Sequence, residues 1–573
     1  MNIEVKLDKL SGHAKSGEIG KVYKDKGSNV KLGDELFDIE SNKGNITITS
    51  DITGKILDIH VNVGDKVSIG DILLTVEGEK ESNEEIAAKK VKSTGFNYMG
   101  GLLKPKKEEI SADITIIGGG PGGYVAAIEG AKLGAKIVLI EKESMGGTCL
   151  NWGCIPTKAL VRSAEIFNLM KESKDYGVIG ENISLDMKRV IDRKKDIINE
   201  LVQGIEYLMG KNKISVLKGN GEVIDKNTVF VKNGNKETTI KTKNMILATG
   251  SKPAILPIEG NDAKNVLTSK ELMSIDYVPD SLIIVGGGVI GMEFAFIFNA
   301  FGSKVTVIEY ARDVLAVLDK DVREEINKIA KERGITIYTS SKVNEIIDAE
   351  DGRSLVKFEK DGIDKYITGD KILMSVGRQP YYGELDLQDI AVQLNENGKG
   401  IKVDDKMETT CEGIYAIGDV TNKIQLAHVA SHQGIVAVNN IMGKNAKMDY
   451  TIIPSAIFTS PEIATVGLCE REAKDNGIEI SIGKFPFGAN GKALTLGEKS
   501  GFVKIIADKS SQVVLGGAII GPHATDLIHE ITLAIKNKLK LEDIIETIHA
   551  HPTTAEAIHE ASLAATNHGS LHF

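Results

Sequence analysis

Three features predict an α/β chain of several domains: a strand that runs into Gly118-Gly-Gly120-Pro-Gly-Gly123, the same arrangement 168 residues later, and an N-terminal segment that repeats itself at an offset of 37. The expected architecture is two Rossmann-like dinucleotide-binding domains, an α+β C-terminal domain, and a small all-β flattened barrel ahead of them. A length of 573 residues suits three or four domains. Charged residues make up 26% and hydrophobic residues 42%, as in an ordinary globular protein. The net charge of −10 argues against nucleic acid as a partner. Residues 282–301 are the best candidate for a membrane span, but four glycines and Glu293 fit a strand–turn–helix better, so no membrane contact is expected. Residues 1–10 alternate charged and apolar side chains like an edge strand, not an export signal, and four cysteines are few. Both features point to the cytoplasm.

The N-terminal repeat is carried by Gly27-Ser-Asn-Val-Lys-Leu-Gly-Asp-Glu-Leu, which matches Gly64-Asp-Lys-Val-Ser-Ile-Gly-Asp-Ile-Leu. Gly17, Ile19 and Glu40 map in the same way onto Gly54, Ile56 and Glu77. Short alternating strands broken by Gly-Asp turns imply two similar sheets packed face to face over residues 1–78. Lys43 sits at the hinge between the copies, where a pseudo-twofold puts it at a hairpin tip. The arrangement resembles a lipoyl domain, whose lysine carries lipoic acid in amide linkage. Such domains usually read Asp-Lys-Ala where this chain has Asn42-Lys43-Gly44, and the methionines that flank a biotinyl lysine are absent. Read without the resemblance, Lys43 is a surface lysine on a small β module. Residues 79–111 turn charged and lose periodicity, and read as a flexible linker. A tether of that kind spans about 30 Å root-mean-square and raises the local concentration of what it carries.

In the first glycine-rich unit, Gly118, Gly120 and Gly123 allow a tight turn and a close backbone approach, so that a pyrophosphate can sit on the helix N-terminus. Glu141 ends the next strand, where a carboxylate can bind ribose hydroxyls. In the second unit Gly286, Gly288 and Gly291 repeat the glycines, Gly302 repeats Gly134, and Glu309 repeats Glu141. Glu309 would repel a 2′-phosphate, which favours NAD over NADP, although Arg312 lies close by in sequence.

Residues 146–158 read Gly-Gly-Thr-Cys-Leu-Asn-Trp-Gly-Cys-Ile-Pro-Thr-Lys and place Cys149 and Cys154 with four residues between them. A regular helix would hold the two Cα atoms about 8–9 Å apart, beyond the roughly 7 Å that a disulfide spans. A bridge here therefore needs Gly153 and the Gly146-Gly147 entry to loosen the turn, and a strained, accessible bridge exchanges readily. Near the C-terminus, His549-Ala-His551-Pro-Thr553-Thr-Ala-Glu556 precedes an alanine-rich helix. Thr553 and Glu556 have capping-box spacing, so Glu556 has a structural reading as well as a chemical one. His549 and His551 could pair on a metal, but no further ligand cluster lies nearby in sequence and no metal centre is expected.

From about residue 112 onward these motifs resemble the flavin disulfide reductases, and most of all their dihydrolipoyl-oxidising branch. One departure is Thr157, where the family usually has Ser. The resemblance implies an FAD-binding domain over 112–259, an NAD-binding domain over 260–374, a second FAD-binding or central part over 375–450 and a dimerisation domain over 451–573. It implies that Gly118, Gly120, Gly123, Glu141, Thr148, Lys158, Thr249-Gly250-Ser251, Asp419 and Gln425-Leu426-Ala427-His428 contact FAD. Gly286, Gly288, Gly291, Glu309 and Gly377 fall to NAD.

Cys149 is then the interchange sulfur and Cys154 the flavin-side thiolate, with Lys158 and Glu293 as an ion pair near the flavin. His551, oriented by Glu556, is the base offered to the other subunit of a homodimer. The implied reaction oxidises a protein-bound dihydrolipoyl group, presented by an acyltransferase or carrier protein of a multienzyme complex, and passes the electrons through FAD to NAD. Lipoic acid on Lys43 would be a third, covalent cofactor. Glutathione reductase shares the core motifs, but Glu309 and the lipoyl-like arm argue against it. A lipoyl carrier without catalysis would not need the cysteine and His-Glu pairs intact.

Overall fold

The computed structural model describes residues 2–7, 16–31, 34–41, 44–50, 52–80, 106–383 and 385–573. The chain divides into two compact units, Met1–Pro105 and Lys106–Phe573.

The N-terminal unit is built from two four-stranded antiparallel sheets. One orders Asn2–Lys6, Ile72–Lys80, Ile52–Ile59 and Asn29–Val30; the other orders Gly44–Thr49, Glu35–Ser41, Ser16–Val22 and Lys66–Ser68. The sequence repeat becomes a symmetric core. Ile19, Val30, Leu36, Phe37 and Ile39 are all buried, and so are their counterparts Ile56, Val67, Leu73, Leu74 and Val76. The two copies also exchange hydrogen bonds reciprocally, Gly27 N–H to Ile56 O at 2.9 Å and Gly64 N–H to Ile19 O at 2.8 Å. Both glycines have φ near +90°, at 89° and 95°, which a side chain would strain. Strands Glu35–Ser41 and Gly44–Thr49 pair up to Ser41 and Gly44. Lys43, the expected attachment site, lies outside the described residues, as do residues 81–105 of the expected linker.

The linker assignment of 79–111 needs correction at both ends, because strand Ile72–Lys80 passes residue 78 and strand Lys106–Ile117 starts before 112. Residues 106–111 pair in parallel register with 236–241. Lys-Lys-Glu-Glu lacks apolar alternation because this ribbon is mostly solvent-exposed and held by cross-strand charge, such as Lys236 to Glu108 at 2.6 Å.

In the larger unit, the first lobe has a central parallel sheet of Ser215–Lys218, Ile137–Glu141, Lys106–Ile117 and Lys236–Leu247, joined by Ile414–Ala416 from later in the chain. Antiparallel strands Thr228–Asn233 and Asn220–Asp225 complete it. The second lobe has a five-stranded parallel sheet ordered Val266–Leu267, Lys371–Met374, Ser281–Val285, Lys304–Ile308 and Thr336–Tyr338. A three-stranded antiparallel meander spans Ser341–Asp348, Ser354–Lys360 and Ile363–Gly369. The C-terminal domain is a five-stranded antiparallel sheet backed by helices Ala524–Lys536 and Glu556–Ala564. The Ile/Val/Leu runs of the parallel strands match sheets covered on both faces.

Lys504 joins the second lobe to the C-terminal domain. Its side chain is wholly buried and donates to Asp319 at 2.7 Å, Asp321 at 2.8 Å and Glu470 at 2.7 Å. Among the described residues these three carboxylates form the one acidic or histidine-bearing group close enough to share an ion, and the lysine occupies it. Lys504 is the member whose loss would cost most, because it alone pairs with all three carboxylates.

Candidate active site

Three helices converge on a single cleft. Helix Pro121–Lys132 follows the first glycine turn, Val289–Phe301 follows the second, and Ala427–Ile441 follows Gln425-Leu426. None of the three has a side-chain cap, so the backbone N–H groups of the first turn stay available. Pro121, Val289 and Ala427, the first residues of these helices, all line the cleft. Three uncapped N-termini turned on one space favour anionic ligand groups there.

The two glycine turns are built alike. A Cβ on Gly118 would meet Ala248 O at 2.2 Å, and one on Gly286 would meet Ser375 O at 2.5 Å. Gly123 and Gly291 are packing glycines whose Cβ would fall 1.8 and 2.0 Å from the carbonyls of Gly118 and Gly286. Gly120 and Gly288 face open space, with nothing nearer than 3.9 Å at the first and nothing within 4 Å at the second. The two acids are fixed in the same way. Glu141 accepts Gly119 N–H and Glu143 N–H, both at 2.7 Å. Glu309 accepts Gly287 N–H at 2.5 Å and Ala311 N–H at 2.6 Å. Each carboxylate is thereby locked at the end of its strand and lines the cleft.

The cleft has a volume of about 1760 Å³ and runs from the first glycine turn past both cysteines to the second turn. That exceeds the roughly 300–1,000 Å³ of a single small-molecule site, as two dinucleotides require. Packing glycines that leave no room for a Cβ, uncapped helix N-termini and paired ribose-ready acids fit a dinucleotide such as FAD or NAD at each of the two turns.

The cysteines sit where the helix breaks. Gly146 and Gly147 enter with φ of 89° and 55°. Helix Gly147–Trp152 then stops at Gly153, whose φ of −145° and ψ of −111° are far from helical, and helix Cys154–Lys171 begins. Both cysteines are free thiols, and the Cys149 thiol is hydrogen-bonded to Cys154. That bond, opposed by desolvation and aided by Lys158, holds the Cys154 thiol below its usual range. The same bond, with burial, pushes Cys149 up. Both directions favour charge on Cys154 over Cys149.

Lys158 follows Cys154 by four residues, on the same helix face. Its ammonium lies 3.0 and 3.1 Å from the two oxygens of Glu293, a buried residue of the second lobe. Ser251 Oγ donates to Asp419 Oδ2 at 2.5 Å. Arg378 donates to Ser251 Oγ at 2.8 Å and to Ser251 O at 2.9 Å, with its Nε 3.9 Å from Asp419.

Thr148, Lys158, Thr249, Gly250, Ser251, Asp419, Gln425, Leu426, Ala427 and Gly377, all singled out from the sequence, line this one cleft. His428 does not. Its ring is turned to the Pro454 carbonyl at 3.0 Å, one helical turn past Gln425. Arg378, which the sequence reading does not single out, also lines the cleft. Arg378 follows the singled-out Gly377 directly, and that adjacency was its only signal.

His551 Nδ1 lies 2.9 Å from Glu556 Oε1, so the ring donates to the carboxylate and Nε2 is left as the acceptor. The capping-box spacing is realised in half. The helix starts at Glu556 itself, and Glu556 Oε2 accepts Thr553 N–H at 2.8 Å, while Thr553 Oγ1 turns to Ala550 O. One carboxylate thus secures the turn and orients the histidine. Burial works against its charge, but the Thr553 N–H and His551 hold the Glu556 carboxyl below its usual range. His549 is engaged separately, with Nε2 2.9 Å from Glu530 and Nδ1 2.8 Å from Thr547 O. The His551 side chain is 79% exposed and is not part of the cleft wall of its own subunit.

A two-lobed dinucleotide fold with a dithiol in the cleft defines a disulfide oxidoreductase. Residues 112–434 match the family model for pyridine nucleotide-disulphide oxidoreductases, and residues 453–562 match the dimerisation domain of the same family. The chain belongs to this family, with FAD and NAD as its cofactors. Residues 3–76 match the biotin–lipoyl model, described as biotin-requiring enzyme.

The chain is 45% identical to the dihydrolipoyl dehydrogenase of Bacillus subtilis over 473 residues, covering 80% of this chain and 99% of that one. It is 40% identical to the dihydrolipoyl dehydrogenase of Geobacillus stearothermophilus, covering 80% and 96%. Among solved structures it resembles LpdA from Mycobacterium tuberculosis, with a TM-score of 0.74 at 27% identity over 80% of this chain and all 100% of that one. It also resembles the HOCl-induced flavoprotein disulfide reductase RclA from Escherichia coli, with a TM-score of 0.70 at 28% identity over 78% and 99%.

Proposed function

We propose that the chain is a cytoplasmic dihydrolipoyl dehydrogenase acting as a homodimer, with a lipoyl group on Lys43. The observation that carries this reading is the pair of free cysteines, set at a helix break in the same cleft that holds both glycine turns and their locked glutamates. His551 of a second copy takes a proton from one thiol of the dihydrolipoyl group, and that sulfur attacks Cys149 of the Cys149–Cys154 disulfide. Cys154 leaves as the thiolate. The second substrate thiol then attacks the mixed disulfide, closes the lipoyl ring and releases Cys149, so that two electrons and two protons have left the substrate.

Bound FAD supplies a two-electron relay from the dithiol to NAD. Gly118, Gly120, Glu141 and Asp419 would hold FAD, and Gly286, Gly288 and Glu309 would hold NAD. Lys158 keeps positive charge next to the Cys154 sulfur, and Glu293 holds Lys158 in place.

Two observations support the dimer. The base lies off its own cleft wall, and the C-terminal domain exposes Ile548 (96%), Leu571 (71%) and Phe573 (79%). The preference for a lipoyl over a glutathione substrate rests on the N-terminal module and on relatives that share nearly their full length. Carrier or acyltransferase proteins of a multienzyme complex then supply the substrate.

Steady-state assays with dihydrolipoamide and NAD, with NADP and with glutathione as alternatives, test the proposal. Rapid NADH formation from dihydrolipoamide alone is expected. Turnover with glutathione and none with dihydrolipoamide would reassign the substrate.

A further inference from the structure

The Lys158–Glu293 pair has a third member, contributed by the C-terminal domain. Phe458 lies between strands Ser455–Ile457 and Glu462–Gly467. Its backbone N–H donates to Glu293 Oε1 at 2.9 Å, and its ring centroid lies 4.2 Å from the Lys158 ammonium. One residue therefore grips both halves of the pair, the carboxylate through its backbone and the ammonium through its aromatic face. Glu293 Oε1 receives Lys158 and Phe458 together, and Oε2 receives Lys158 as well. We propose that Phe458 is a positioning residue for the redox site: its ring fixes the Lys158 ammonium where it stabilises the Cys154 thiolate, and so ties the C-terminal domain to the chemistry of its own subunit's cleft.

The proposal rests on the reading of Cys154 as the thiolate. Four groups set the charge on that sulfur. Cys149 donates to it from helix Gly147–Trp152, Lys158 faces it from its own helix, Glu293 opposes it from helix Val289–Phe301, and Arg378 lies within its field from strand Arg378–Pro380. Of these, Lys158 sits on a long flexible side chain, partly exposed at 29%, whose position depends most on what surrounds it. Replacing the ring while keeping the backbone N–H leaves Glu293 anchored and its pair with Lys158 in place, and removes only the aromatic face from the ammonium.

The test compares reduced holoenzyme of wild type, Phe458→Leu, Phe458→Met and Phe458→Tyr. The rate of iodoacetamide alkylation at Cys154 is followed against pH by peptide mass spectrometry, alongside the long-wavelength thiolate–flavin absorbance. Phe458→Leu and the volume-conserving Phe458→Met should each move the midpoint upward by about half a pH unit, as expected for loss of a partly exposed cation–π contact. Phe458→Tyr should titrate like wild type. In a Lys158→Met background the Phe458→Leu change should move nothing further. An unchanged midpoint in both ring-deleted variants, or a shift that persists without Lys158, overturns the proposal. If wild-type Cys154 itself shows no thiolate below pH 8, the redox reading fails first and takes this inference with it.

Discussion

The two lobes of the larger unit answer the same physical problem with nearly the same atoms, yet they differ in what surrounds the answer. In each, a first glycine packs on a neighbouring strand end, a third closes the turn on the carbonyl of the first, and a glutamate is locked by two backbone N–H groups. Around the first turn, other parts of the chain close in: the Gly146-Gly147 entry, Thr249-Gly250-Ser251, Asp419 and the N-terminus of helix Ala427–Ile441. Gly120 has Gly147 as its neighbour at 3.9 Å, whereas Gly288 has nothing within 4 Å. The same turn thus stands in two surroundings, and the segments that return from elsewhere make the difference.

Several changes would break or sharpen that comparison. The largest effect is expected at the dithiol that lies between the lobes. Cys149→Ser or Cys154→Ser should abolish dihydrolipoamide oxidation while the protein stays yellow, since neither side chain builds a dinucleotide turn; a colourless product would contradict this. His551→Gln should follow, with about a 10²–10⁴-fold fall in turnover and unchanged flavin content. Mixing it with a Cys149→Ser chain should restore part of the activity, because one site of each mixed dimer is complete.

The glycine pair gives the sharpest contrast between the lobes. Gly123→Ala forces a Cβ 1.8 Å from the Gly118 carbonyl and should cost flavin binding itself. Gly291→Ala, at 2.0 Å from the Gly286 carbonyl, should leave a yellow protein whose turnover with NAD falls by about 10²-fold, as for a misplaced reacting group. Absorbance at the flavin bands separates the two outcomes, and the same loss of flavin in both would erase the distinction between lobes.

A smaller effect is expected from pH. The Cys154 thiol is held below its usual range, so its long-wavelength absorbance should be full at alkaline pH and fall as pH drops, with a midpoint below the roughly 8.5 of a free thiol. A titration that is flat from pH 6 to 9 would contradict the assignment of Cys154.

Much of this was legible in the sequence because glycine, cysteine and acid spacing act locally. The offset of 37 became a core of paired residues, and the mismatch between helix geometry and disulfide reach located the break at Gly153. What escaped depends on contacts between distant segments. Phe458 is an ordinary aromatic until the fold sets it on Lys158, 300 residues earlier. Arg378 gains its role only by meeting Ser251 and Asp419. Residues 106–111 look like linker because strand pairing by exposed charges leaves no apolar period. His428 was placed by its neighbours in sequence, and its ring turns the other way.

The most direct test of the account is an anaerobic two-step mixing experiment. One equivalent of dihydrolipoamide is added to the oxidised holoenzyme, and NAD follows. The account predicts a long-wavelength thiolate–flavin band after the first addition and its loss, with stoichiometric NADH, after the second. NADH formed without the band, or the same band in Cys154→Ser, would contradict it.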